Sequence, residues 1–263
     1  MAYPPHEPKS MSSYLLDIAS LAEACEEAIS DILESYEGGA QASDEAVSPS
    51  LLASAMNQLM EVLKRIDADT RRGALPTQGR RDDDHLDISE LGDYGFTLFN
   101  DMMFWAQRLG LLARHRQMET LVFPFALWLA RHGSELRNLE TVVNALAVVA
   151  NSTNDHAKLE QICAAMGEII NAVSPSIQQD LDNSNPGRPW RLLIINRAIV
   201  ATRTHNPAVM EAAFKLLVNH LPDDAPEFFS EGMGQMEALN YPAPVREIME
   251  KYYRHWSLSR ILH

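Results

Sequence analysis

The chain has 263 residues, is 46% hydrophobic and carries a formal net charge of -14. That length and composition suit one large or two small globular domains and exclude intrinsic disorder. No run approaches the roughly 20 apolar residues of a membrane span, and the surplus of acid works against a phosphate backbone, so neither a membrane nor a nucleic acid is expected as a partner. The opening MAYPPHEPKS lacks the apolar core of a signal peptide, which leads us to expect a cytoplasmic protein.

The charge is unevenly spread. Residues 1–90 hold 18 acidic and 7 basic residues, and no Lys or Arg occurs between Ser10 and Val62. Within that stretch Tyr14, Ile18, Leu21, Cys25, Ile29, Ile32 and Tyr36 share one face of a long amphipathic helix. Glu23, Glu26, Glu27, Asp31 and Glu34 occupy much of the remainder. A solvated face is the plain explanation of these acids, and a docking surface for a basic partner is the sharper one. Gly38 and Gly39 end the helix. Ser48 before Pro49 starts a second, because the hydroxyl caps free amides and proline suits the first helical position. Its apolar stripe runs from Leu51 to Ile66, and the two helices form an expected acidic hairpin over residues 1–69.

Residues 70–87 lack periodicity and carry blocks of opposite charge, so they read as a flexible linker. From there residues 88–263 read as the main domain. A helix beginning near Ile88 carries Phe99, Met102, Met103, Ala106 and Leu109 before Gly110 interrupts. The next carries Met118, Leu121, Val122, Phe125, Trp128 and Leu129 and stops at Arg131, His132 and Gly133. Two more span roughly Leu139 to Ala150 and Leu159 to Ile170, joined by the polar residues Asn151 to Asp155. Ser174 and Pro175 open a short helix, and four further segments follow near residues 190–201, 207–218, 226–239 and 242–256. No stretch alternates with period two, so the expected fold class is all-α.

Paired in order, these helices give hairpins starting near Leu98, Glu135, Pro189 and Asp224, at spacings of 37, 54 and 35 residues. Periods in the thirties point to stacked antiparallel hairpins, an α-solenoid in which each pair buries its apolar face on the next. Met210, Phe214, Leu217 and Pro222 stand at the offsets of the second helix of a tetratricopeptide repeat, with both small positions enlarged. The chain thus resembles that family over about two hairpins. It lacks the Trp, Leu, Gly and Tyr pattern of the first helix, and residues 1–90 fall outside the match. The resemblance implies a superhelix that binds peptide segments or other proteins; a compact irregular bundle is the alternative architecture.

Three groups of residues are candidates for function. Eight aromatic residues lie between Tyr94 and Trp128. Core packing is the default for them, but one helix cannot bury Phe104, Trp105 and both flanking methionines on a narrow face. We therefore expect Tyr94, Phe96, Phe99, Phe104, Trp105, Phe123 and Trp128 to contribute groove or interface anchors. At the far end, Arg246, Tyr252, Tyr253, Arg254 and Trp256 form a basic-aromatic tail that could meet the acidic first helix, within the chain or across a homo-oligomer.

The third group, Asp82, Asp83, Asp84, His85 and Asp87, offers hard oxygen ligands and an imidazole to a divalent cation. It lacks the Gly and twelfth-position Glu of an EF-hand, and acids just before a helix are more simply explained by its free amides. Asp82, Asp84 and His85 are the metal candidates of an alternative reading, an all-α enzyme or metal-binding bundle. Cys25 and Cys163 sit on apolar stripes and read as buried thiols. HExxH, paired ExxH, GxSxG and GxxxxGK[ST] motifs are absent, and Gly232 and Gly234 form a lone GxG inside a helix. The expectation is a non-enzymatic scaffold or adaptor without cofactor, binding a protein or peptide. A purely structural homo-oligomer is a further alternative.

Overall fold

The computed structural model describes residues 15–38, 47–73, 87–181 and 184–258. Among them are eleven α-helices and a terminal π-helical turn, with no β-strand, so the protein is all-α. The first two are α1 (Ile18–Glu37) and α2 (Pro49–Arg71), followed by α3 (Ile88–Arg108) and α4 (Leu112–Arg131). The starts follow the caps: Asp17, Ser48 and Asp87 each accept a hydrogen bond from a first-turn amide of their helix. Asp87 therefore works as a helix cap. Gly133, at a φ of 79°, turns the chain after α4, as the stop signal there requires.

α1 and α2 pack on each other, and the pair does not stand apart. α1 also packs on α4, and α2 on α3, which closes a four-helix bundle with α3 and α4. The expected hairpin thus shares the core of α3 and α4, and the buried apolar residues form one continuous cluster. The physical reason lies in specific ties. Arg114 of α4 reaches Glu27 and Asp31 on α1, the Trp105 indole donates to the Val47 carbonyl at 2.9 Å, and that of Trp128 donates to Asp67 on α2 at 3.3 Å.

Next come α5 (Glu140–Asn151), α6 (His156–Asn171) and the four-residue α7 (Pro175–Gln178). α8 (Pro189–Arg203), α9 (Pro207–His220), α10 (Ala225–Ala238) and α11 (Ala243–Tyr253) follow, before the π-helical turn Arg254–Leu258. α4 is the hub between the halves, because it packs on α5 and α6 as well as on the bundle. α6 continues onto α8, α8 onto α9, α9 onto α11, and α11 onto α10. α5 and α6 touch each other only lightly; each is seated mainly on α4 or α8. Their outer joints are stitched by a parallel bridge in which the Leu136 amide donates to the Ala172 carbonyl at 2.8 Å and the Ser174 amide to the Leu136 carbonyl at 3.0 Å.

Candidate functional site

The aromatic stretch builds core. Phe96, Phe99, Trp105, Phe123 and Trp128 are buried, so five of the seven expected groove anchors are corrected to packing residues. Phe125 sits between Phe96 and Phe99, with ring centroids 5.2 and 5.4 Å away. Gly95 makes the fit possible, since a Cβ there would overlap the Phe125 ring. Only Tyr94, 48% exposed, and Phe104, 49% exposed, remain at the surface from that set. Phe104 is thus the residue that the crowded helix pushes out, while Trp105 and Met102 go in.

The C-terminal group is likewise divided. Tyr252 is buried against Phe214 and Phe229, at 5.3 and 5.2 Å, and Tyr253 and Trp256 pack partly on the same core. Lys251 pairs with Glu211 and Arg254 with Glu250, at 2.7 and 2.5 Å; Arg246 is exposed. α11 packs on α9, α10 and the terminal turn, whereas α1 packs within the N-terminal bundle, so the fold does not join the basic tail to the acidic helix. Asp82, Asp83, Asp84 and His85 lie outside the described residues. Among the described residues no three His, Cys, Asp or Glu side chains are placed to hold a metal ion. Cys25 and Cys163 are free and buried, and burial pushes the Cys25 thiol up to about 12.

The residues that come together most suggestively are ones the sequence did not single out. A groove of about 730 Å³ lies between α8 and α10, within the range of binding clefts. Ile195 and Ile199 form one wall; Phe228, Met236 and Leu239 line the other. Ile199 is 45% exposed and Leu239 63% exposed, an unusual position for two large aliphatic side chains lining one hollow. The floor depends on Gly232. An added Cβ would meet the Met249 sulfur at 2.6 Å, so the bare backbone lets Met249 of α11 lie across α10 beneath the groove.

Two of the groove's polar side chains, Thr202 and Arg203, are engaged in structure. Thr202 donates to the Ala198 carbonyl at 3.0 Å. The Arg203 guanidinium donates to the carbonyls of Ala150 and Thr153, at 3.0 and 2.7 Å, completing the C-terminal end of α5. Tyr241 at one end meets the ring of His205 edge-on at 5.0 Å. Burial, and then the neighbouring His156, pull the His205 imidazole below its ordinary value. Glu231 lines the groove without an ion pair among the described residues. Such a surface favours an apolar ligand face and supplies little for bond breaking.

A second hollow of about 560 Å³ lies between the α4–α5 joint and the start of α8. Two of its charges pair within the hollow, where Arg188 holds Asp180 at 2.6 and 2.7 Å. One polar group there lacks a partner, the buried Trp190 indole nitrogen. The α8–α10 groove is the stronger candidate because it leaves the large apolar side chains of Ile199 and Leu239 exposed, which costs free energy in the free protein.

No protein-family model, curated protein or solved structure matches this chain.

Proposed function

We propose that this protein is a helical scaffold that binds a segment of another protein, and that the α8–α10 groove holds that segment. The observation carrying the reading is the pair Ile199 and Leu239, left exposed on facing walls of a preformed apolar hollow. The packed pairs α3–α4, α8–α9 and α10–α11 support a helical-repeat architecture, in which a groove between helices of successive pairs is a natural docking place. The lightly packed α5–α6 pair and the N-terminal bundle make the repeat irregular.

Affinity purification from the source cells tests the proposal. Wild-type protein should recover a partner that Ile199→Asp loses while Phe104→Ala keeps it. Because Ile199 is at the surface, its substitution should leave the thermal melt nearly unchanged. Recovery of the same partners by wild type and Ile199→Asp would place the binding elsewhere and end the groove reading.

A further inference from the structure

Resting on the groove reading, we propose that the occupant is a basic amphipathic helix of a partner protein, with apolar side chains on its buried face and Lys or Arg on the flank facing α10. Two observations point to that chemistry. The first is shape: Phe228, Glu231, Gln235 and Leu239 line the groove from successive turns of one helix face. They span about 16 Å at 1.5 Å per residue, the length of a three-turn helical segment.

The second is charge. Between Lys215 and Arg246 the chain has no Lys or Arg, while Asp223, Asp224, Glu227, Glu231 and Glu237 fall in that interval. Asp224 is paired with Arg191. Glu227, Glu231 and Glu237 are exposed and make no ion pair among the described residues, and Glu227 stands one turn before Glu231 on the same side of α10. The cation that lines the groove, Arg203, donates to carbonyls at the end of α5 and leaves the α10 wall without a counter-charge. An acidic segment would meet Glu231 unfavourably, and an anionic membrane surface would be repelled by the same wall. A basic flank satisfies it and steers the approach.

Two synthetic 14-residue helical peptides decide the matter, one with Leu at helical spacing and Lys on the flanks, the other with Glu at every Lys position. Fluorescence anisotropy with the full chain should show the Lys peptide binding at least tenfold tighter. Ile199→Asp should abolish its binding, and Glu231→Lys should cut the preference by threefold or more. Glu26→Lys on α1 changes the net charge equally and should leave the preference intact.

Equal binding of both peptides, still lost in Ile199→Asp, would overturn the basic partner and keep the groove. Lys-peptide binding that survives Ile199→Asp would overturn both, exposing simple attraction to an acidic chain. Absence of binding by either peptide would also overturn the proposal. So would concentration-dependent self-association in sedimentation that Ile199→Asp removes, since it would assign the groove to a second copy.

Discussion

In the N-terminal bundle a Cβ on Gly95 would overlap the Phe125 ring and lie 3.1 Å from Leu59, whereas in α10 the same atom on Gly234 would meet nothing within 4 Å. Both glycines are helical, yet one removes a methyl group so that three helices can close and the other stands at an open wall. The contrast extends to the elements around them. α1 returns to α4 and seals the bundle, while α8 and α10 leave an apolar groove between them. Comparable apolar material thus yields a closed core where the helix positions complete a ring and an open apolar groove where they do not.

The largest effect should come from forcing the closed region open. Gly95→Ala should destabilise the protein by about 3 kcal/mol, the upper part of the usual overpacking range, because the fully buried Phe125 ring has nowhere to move. Chemical denaturation would measure it; a loss below about 1 kcal/mol would mean that the bundle is looser than its contacts indicate. The open region should respond in the opposite direction. Gly234→Ala should stabilise α10 by about 0.5–1 kcal/mol, since a glycine in a helix interior is weaker than alanine by that amount and no neighbour opposes the methyl. Gly232→Ala should fall between the two, because the Met249 thioether is flexible enough to yield.

The smallest effect concerns the tie between the regions. Arg131 of α4 donates to both carboxylate oxygens of Glu168 on α6, at 2.7 and 2.8 Å, and those bonds hold the Glu168 carboxyl below its ordinary value of 4.5. A carboxyl depressed in the folded state stabilises that state above its unfolded value and ceases to do so as pH falls through the folded one. Both side chains are about half exposed, so Glu168→Gln should cost under about 1 kcal/mol at neutral pH. The difference from wild type should shrink as pH falls below the carboxyl's ordinary 4.5 and vanish once Glu168 is protonated in the folded protein, as paired denaturation curves would show; a gap that does not shrink with falling pH would show that the charge is not responsible.

Helix positions were readable because their signals are local. Ser48–Pro49, Asp155 and Asn206 start helices where the hydrophobic period says they should, and Gly133 and His132 end one. The closing of the bundle was not readable, because it depends on Arg114 and Trp128 finding partners more than sixty positions away in sequence. The density of aromatics between Tyr94 and Trp128 misled for a related reason: Gly95 gives Phe125 a place that periodicity alone cannot show.

The groove was missed although a signal existed. The main stripe of α8 accounts for Leu193, Ile194 and Ala198, which are buried, while Ile195 and Ile199 lie off it and carry the wall. A helix apolar on more than one side needs more than one partner; α5, α6 and α9 cover much of α8, and the side bearing Ile195 and Ile199 faces the groove. The lone GxG proved to be two different things: Gly232 admits Met249, and Gly234 admits no contact at all.

The bridge between Leu136 and Val173 has an energetic meaning. Its two hydrogen bonds are worth about 1 kcal/mol each, whereas closing a flexible loop of about 37 residues costs roughly 3 kcal/mol in chain entropy before any constant term. The bridge is therefore too weak to close that loop by itself. It depends on the seats that α4 and α8 give α5 and α6, so its amides report whether the middle of the chain is fully packed.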